Sequence, residues 1–137
     1  MKQTTNTILM VRPSSFRMNE QTAVNNYFQE DIAIKNSEIN NKAQQEFDNY
    51  VSTLRIHGIQ VTVISDTLEF DTPDSIFPNN WVSFHKEGTV ALYPMFAKNR
   101  RYERREKIQS KNSVTLKFFL ISKWFLLPLH SFGSWQH

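Results

Sequence analysis

The sequence contains no cysteine among its 137 residues. This absence excludes disulfide bonds, cysteine-ligated zinc and catalysis by a protein thiol within these residues. Long apolar runs are also missing, since none reaches the roughly 20 residues that a membrane-spanning helix needs. The short apolar run in TILMVR, near the N-terminus, is too brief for the core of a signal peptide, so the chain is expected to be cytoplasmic.

Acidic residues are unevenly distributed, although the formal net charge is only +3. None follows Glu106, whereas four lie between Asp66 and Asp74. Seven lysines or arginines lie between residues 98 and 111, with two acids among them. The hydrophobic fraction of 39% and the charged fraction of 21% are typical of one soluble globular domain.

The spacing of apolar residues predicts a mixed α/β fold. TILMVR, closed by Pro13, predicts a buried strand. Apolar residues at steps of three and four predict a helix over about 38–57, with Ser37 as its cap and His57-Gly58 as its end. The stripe consists of Ile39, Ala43, Phe47, Tyr50, Val51 and Leu54.

Further elements surround this helix. Asn19 is expected to cap a short helix over residues 21–29, whose apolar side contains Ala23, Val24, Tyr27 and Phe28. Alternation of Ile59, Val61 and Val63 with polar residues predicts a strand. Residues 81–85 and 89–93 predict two strands of a hairpin joined at 86–88.

The composition changes after about residue 108. Residues 118–137 are rich in aromatic side chains and have little periodicity, and Lys123 and Pro128 interrupt them. Three interpretations are open: a core strand with a docked tail, a membrane-surface anchor, or a tail translated out of frame. The loss of acids fits the third best. We expect residues 1–108 to form one unit and residues 109–137 to be an unmatched hydrophobic tail.

The stretch IFPNNWVSF, residues 76–84, is unusual for a turn because apolar bulk flanks it on both sides. In the simplest interpretation, Pro78 initiates a turn and Asn79 and Asn80 occupy its positive-φ positions, since asparagine tolerates them. Ile76, Phe77, Trp81 and Val82 are then ordinary core residues.

The stretch LYPMFAKNRRYERR, residues 92–105, allows three interpretations. A solvated basic face is the usual outcome for such a charge run. A nucleic-acid interface would place Arg100, Arg101, Arg104 and Arg105 on phosphates, but the interleaved acids and the low net charge argue against it. An arginine clamp for a small carboxylate is the third, because guanidinium and carboxylate pair through two parallel hydrogen bonds.

Four stretches together resemble one family: QTTNTILMVRP at the start, NEQTAVNNYFQ at 19–29, DSIFPNNWVSF at 74–84 and ALYPMFAKNRRYERR at 91–105. The chain resembles the amidinotransferase and arginine-deiminase superfamily, whose fold is the pentein. The nearest branch is the bacterial citrulline-utilisation hydrolase group. The resemblance covers about residues 3–107.

This resemblance implies an α/β propeller of five strand-and-helix modules around a pseudo-fivefold axis, of which this chain holds about the first two. It implies hydrolysis of a C–N bond in a linear amidine or ureido compound such as arginine, methylated arginine or citrulline. A cysteine nucleophile and a histidine acid/base perform the reaction in the family. Neither matches a residue here, so no catalytic residue, cofactor or metal is expected.

The resemblance also implies substrate-binding residues. Phe77 would lie against the planar head of the substrate, and Arg100 or Arg101 would bind its α-carboxylate. The turn of the family often carries an aspartate where this chain has Asn80 or Asn79. A carboxylate suits a cationic guanidinium, whereas an amide can donate to and accept from a neutral ureido group. The departure therefore favours citrulline over arginine.

Three functions follow from these observations. The chain is a shortened, inactive member of the citrulline hydrolase group, a small binding module for an amino acid or a partner chain, or a basic nucleic-acid binder. The expected partner is a small amino-acid substrate, with neither nucleic acid nor a membrane. A cooperative thermal transition would favour the binding module, and steep salt dependence would favour the nucleic-acid binder.

Overall fold

The structure is a computed structural model that describes residues 5–23, 35–85 and 88–105 with their side chains, and residues 117–120 as backbone. The elements in chain order are β1 (Thr7–Arg12), α1 (Glu20–Ala23), α2 (Asn36–Ile56), β2 (Gln60–Ser65), β3 (Val82–Phe84), β4 (Thr89–Leu92) and β5 (Lys117–Leu120). Two short 3₁₀ helices lie at Pro78–Asn80 and Asn99–Glu103. This mixture confirms the α/β class, while the arrangement of modules around a fivefold axis stays a prediction.

Strands β1 and β2 pair in parallel, with Thr7 opposite Gln60 and Arg12 opposite Ser65. Parallel neighbours need a crossover connection, and α2 lies within the segment that links them. The predicted first strand is confirmed at its predicted bounds. The alternating pattern of the second is confirmed in part, since Ile64 rather than Val61 or Val63 is the buried residue of β2.

Helix α2 buries Phe47 and Val51 from the predicted apolar stripe, whereas Tyr50 is 57% exposed. The predicted cap at Ser37 is wrong, because the helix begins at Asn36 and Ser37 already lies inside its first turn. The helix ends as predicted. Gly58 takes a φ of 80°, which glycine adopts without steric cost, and the Ile59 amide donates to the Leu54 carbonyl at 3.0 Å.

Side chains of α2 and β1 hold the segment that follows β1. Arg12 donates two hydrogen bonds to Asp48, each 2.9 Å long. Gln44 donates to the Pro13 carbonyl at 2.8 Å, and the Phe16 amide donates to Asn40 Oδ1 at 2.8 Å. These contacts direct the chain along the helix towards Asn19, which takes part in the site described below.

The second sheet has the order β3-β4-β5. β3 and β4 are antiparallel, with Val82 opposite Leu92, which confirms the predicted hairpin. Gly88 has a φ of 82° and its amide donates to the His85 carbonyl at 2.9 Å, so it closes the connection. The backbone of β5 pairs in parallel with β4, with Thr89 opposite Lys117. Ordered pairing thus continues past the predicted boundary at residue 108.

One apolar core joins the two sheets. It contains Val11, Ile64, Trp81, Val82, Val90 and Leu92, with Leu9 and Met95 packed against it. Trp81 is 1% exposed, and its position directly after the 3₁₀ helix Pro78–Asn80 anchors that helix to the core. The expectation of core residues is confirmed for Trp81 and Val82 and is wrong for Phe77, which is 46% exposed.

Several predictions lie outside the described residues. These are the continuation of the first helix beyond Ala23, the central hairpin residues 86–87, and most of the predicted tail, namely 109–116 and 121–137. Among the described residues, no helix combines the length and the apolar content required to cross a bilayer.

Candidate functional site

The FPNN turn, residues 77–80, is a single 3₁₀ turn that projects three side chains outward. The Asn80 amide donates to the Phe77 carbonyl at 3.2 Å, and the Trp81 amide donates to the Pro78 carbonyl at 3.1 Å. Phe77 is 46% exposed, and Asn79 and Asn80 are also exposed. The expected positive-φ asparagines are wrong, because no described residue other than glycine has a positive φ. A 3₁₀ turn keeps φ negative throughout, so asparagine is not needed here for its backbone.

The second 3₁₀ helix, Asn99–Glu103, separates two neighbouring arginines. With about three residues per turn, consecutive side chains point roughly 120° apart. Arg100 is therefore buried, at 8% exposure, while Arg101 is exposed. Glu103 follows Arg100 by one turn and lies on the same side, at 2% exposure.

Arg100 forms hydrogen bonds to the FPNN turn from its buried side. Its Nε and Nη2 donate to the two carboxylate oxygens of Glu103 at 2.8 and 3.1 Å. Its Nη1 donates to Asn80 Oδ1 at 2.9 Å, and Nη2 also donates to the carbonyls of Phe77 at 3.3 Å and Asp74 at 3.4 Å. Four of the five N–H groups of the guanidinium are used in this way.

Asn19 connects this arrangement to the N-terminal segment. It is fully buried, and its Oδ1 accepts from the Gln21 amide at 3.1 Å, which confirms its predicted role as a helix cap. Its Nδ2 donates to Asp74 Oδ2 at 2.7 Å, and its Oδ1 accepts from Asn99 Nδ2 at 2.9 Å. Besides capping α1, Asn19 therefore connects the N-terminal segment with the segments that contain Asp74 and Asn99.

The sequence did not identify Asp74, Asn99 or Glu103 as parts of the site. Each is buried and polar, and each acts through contacts with residues far away in the chain or on the hidden side of a short helix. No periodicity marks such positions. The one available signal was that Asp74 begins the DSIFPNNW stretch.

The other arginines bind groups of the chain itself. Arg101 donates from Nε to the Met95 carbonyl at 3.1 Å and from Nη2 to the Phe96 carbonyl at 3.3 Å. Arg104 donates to the Tyr93 carbonyl, and Arg105 forms an ion pair with Asp66. The neighbouring Tyr102 stacks on Phe70 with ring centroids 4.9 Å apart. This arrangement does not favour a phosphate-binding surface.

Burial changes the pKa of the Glu103 carboxyl group. Desolvation raises the pKa of Glu103 above its usual range, the hydrogen bonds from Arg100 oppose that rise, and the nearby charge of Asp74 adds to it. A carboxyl group whose pKa is raised by folding stabilises the fold most below its unfolded pKa. That contribution is lost as the pH rises through the folded pKa.

We expect the stability of the wild-type chain to fall, relative to a Glu103→Gln variant, as the pH rises from about 4 to 7. The variant cannot ionise at this position, so the difference between the two chains isolates Glu103 from the other carboxyl groups. Urea unfolding of both chains at several pH values measures this difference. A difference that stays constant or grows with pH would contradict the raised pKa.

His85 directly follows β3 and is exposed, and its Nε2 lies 3.0 Å from Ser83 Oγ. Within the described residues, no group of three histidine, aspartate or glutamate side chains is placed to hold a metal ion. The site therefore consists of an exposed aromatic and amide surface on a buried ionic layer, which suits the binding of a planar polar group.

A comparison with protein-family models matches residues 12–120 to the family described as N,N dimethylarginine dimethylhydrolase, eukaryotic. No curated protein and no solved structure matches the chain. The match covers well over half of the 137 residues, includes the FPNN turn and Arg100, and extends past residue 108. The chain therefore belongs to the N,N dimethylarginine dimethylhydrolase family, an amidine-hydrolysing family of the pentein (amidinotransferase) superfamily.

Proposed function

We propose that the chain carries a substrate-binding part of a pentein hydrolase of the citrulline-utilisation branch, with the FPNN turn as the seat for the planar head of citrulline or a related linear amidine. The observation that carries this proposal is the exposure of Phe77, Asn79 and Asn80 above a buried layer of Arg100, Asp74 and Glu103. In this proposal residues 1–108 form about the first two of five strand-and-helix modules.

Phe77 supplies the surface on which the head group lies. Phe77 is 46% exposed, so its ring is accessible to a ligand. Its face attracts a flat, delocalised group such as an amidine or a ureido group. The carbonyl of the same residue accepts from Arg100, so the backbone that carries the ring is held in place.

Arg101 is the better candidate for the α-carboxylate. Arg100 uses four of its five N–H groups within the chain and is buried. Arg101 is exposed and donates from Nε and Nη2, so its Nη1 group has no hydrogen-bond partner among the described residues. Arg100 then supports the turn, and Arg101 binds the ligand.

Binding of citrulline to this chain tests the proposal. We expect citrulline to shift amide resonances of residues 77–80 in ¹⁵N-labelled protein, with a dissociation constant that Arg101→Ala raises about tenfold or more. A hydrogen bond to a charged group contributes about 1.5–3 kcal/mol, which corresponds to that factor.

The control for this experiment is Lys42→Ala, which removes a cation from the exposed side of α2. It should leave citrulline binding unchanged. If citrulline causes no shifts in the FPNN turn, or if the Lys42 and Arg101 variants weaken binding equally, the proposed seat is wrong.

Substitution of Asn80 by aspartate should change the preferred head group. A carboxylate pairs more strongly with a cationic guanidinium than with a neutral ureido group, so Asn80→Asp should raise the affinity for arginine relative to citrulline about tenfold. Isothermal titration with both amino acids measures the ratio. Asn49→Asp, on the exposed side of α2, makes the same change of charge and should leave the ratio unchanged. An unchanged ratio in Asn80→Asp would remove Asn80 from the ligand-facing set.

A further inference from the structure

The contact between Arg100 and Asn80 determines which way the Asn80 amide faces. Arg100 Nη1 donates to Asn80 Oδ1 at 2.9 Å. A guanidinium has five donors and no acceptor, so it can face only the oxygen of an amide. The alternative orientation would set the NH₂ group of Asn80 against an N–H of Arg100, and two donors repel each other. Arg100 therefore excludes that orientation.

Arg100 cannot easily turn away to release the amide. Glu103 holds it through two hydrogen bonds of 2.8 and 3.1 Å, and both side chains are buried. A planar guanidinium paired with a carboxylate in this way has a defined orientation as well as a strong interaction. The carbonyl of Phe77 accepts a further hydrogen bond at 3.3 Å. The direction of Nη1 is thus set by groups on both sides of it.

The Nδ2 group of Asn80 remains for the ligand. Asn80 is exposed, and its Nδ2 has no hydrogen-bond partner among the described residues. The Oδ1 of Asn80 has two lone pairs: one accepts from Arg100, and the other lies beside the positive charge of that guanidinium, which disfavours a second cationic donor there. At this position the FPNN turn therefore presents N–H donors, and a cationic head group can reach the remaining lone pair of Oδ1 only against repulsion from Arg100.

We propose that Arg100, through Asn80, makes the FPNN turn selective for a head group with an acceptor oxygen, such as the ureido carbonyl of citrulline, over a guanidinium. This inference rests on the function proposed above. A ureido oxygen accepts from Asn80 Nδ2, whereas every polar atom of a guanidinium is a donor. With a guanidinium bound, the donors of Asn80 and of the ligand would face each other unpaired. Selectivity here arises from a mismatch with the wrong ligand as much as from a match with the right one.

Ligands that differ at the acceptor atom test this inference in the intact chain. Citrulline, thiocitrulline and arginine share the α-amino acid part and differ in the head group. Citrulline presents a carbonyl oxygen, thiocitrulline presents a weakly accepting sulfur, and arginine presents donors only. We expect citrulline to bind about five- to tenfold more tightly than either of the others, which is the factor that corresponds to one neutral hydrogen bond. Citrulline should also shift the side-chain NH₂ resonances of Asn80 more than thiocitrulline does.

Asn80→Asp provides the matched variant, because it keeps the shape and the contact with Arg100 but replaces the donor by a second acceptor. It should lose the discrimination between citrulline and thiocitrulline, while Asn49→Asp on α2 should retain it. A substitution of Arg100 would not isolate this effect, because that side chain is buried and its loss disturbs the fold.

The possible outcomes separate this inference from the proposed function. Equal affinities for citrulline and thiocitrulline, or tighter binding of arginine, would overturn the inference and leave the binding seat intact. Binding of none of the three ligands would overturn the proposed function and the inference together. Discrimination that disappears in Asn80→Asp and persists in Asn49→Asp supports the inference.

Discussion

Replacing Arg100 by methionine is expected to lower the free energy of unfolding by about 3–5 kcal/mol. The substitution keeps the length of the side chain but removes the partner of Glu103, which is 2% exposed and accepts two hydrogen bonds from Arg100. It also removes the donors to Asn80 and to the Phe77 carbonyl. A loss of this size is a large part of the 5–15 kcal/mol that usually stabilises a domain.

Urea unfolding measures the effect, and Arg101→Met is the matched control. Arg101 is adjacent in sequence but exposed, and loss of its hydrogen bonds to the Met95 and Phe96 carbonyls should cost no more than about 1 kcal/mol. Because the pKa of Glu103 is already raised, the loss in Arg100→Met should shrink at about pH 5, where the isolated carboxyl group is more readily protonated. Equal effects of the two substitutions at pH 7 would show that Arg100 does not support the turn.

A double variant, Arg100→Met with Glu103→Leu, provides a further check on the cause. Removing one member of a buried ion pair leaves an uncompensated charge, whereas replacing both by apolar side chains removes that cost. The double variant should therefore be more stable than Arg100→Met alone. If it is less stable, the cost lies in packing and not in the unpaired charge.

Neither ammonia nor dimethylamine should be released when the purified chain is incubated with citrulline, arginine or N,N-dimethylarginine. Resonance makes the carbon of a ureido or amidine group a poor electrophile, so hydrolysis through a covalent intermediate needs a strong nucleophile. A thiolate provides one at neutral pH, and the 137 residues contain no cysteine. The sequence also lacks a G-x-S-x-G elbow and an H-E-x-x-H pair.

A coupled ammonia assay at high protein concentration, with ornithine measured in parallel for citrulline and citrulline measured in parallel for arginine, tests this expectation. For N,N-dimethylarginine the same incubation is examined for dimethylamine and citrulline. Turnover above a buffer control that disappears in Arg101→Ala would contradict the prediction, because it would place a nucleophile near the proposed seat. Turnover that persists in Arg101→Ala would instead indicate a contaminating enzyme or a different site.

The sequence was sufficient for most of the elements. Local apolar patterns placed β1, α2, β2 and the β3–β4 hairpin, because each of these elements has a periodic face that must be buried. The end of α2 at Gly58 was also predictable, since a positive φ favours glycine. The start of α2 was not, because Lys35 and Ser37 are both compatible with a first turn and only the backbone shows where that turn begins.

Part of the candidate site was also predictable from the sequence, and part was not. The resemblance to a family identified the expected substrate-binding residues, because a local sequence motif is enough to mark such positions. These residues are Phe77, Asn79, Asn80, Arg100 and Arg101. It did not identify the supporting layer of Asn19, Asp74, Asn99 and Glu103, because its members are brought together by contacts between segments that are distant in sequence.

Residue types alone established that the chain is an α/β protein, that it has no thiol nucleophile and that its FPNN turn carries amides where the family often has a carboxylate. Only the fold shows that Arg100 is buried while the adjacent Arg101 is exposed, and which way the Asn80 amide faces. The reason is geometric. A 3₁₀ helix turns consecutive side chains to different sides, and a hydrogen bond from a group without acceptors permits one orientation of an amide. Both depend on which residues meet in three dimensions, which the order of residues along the chain does not specify.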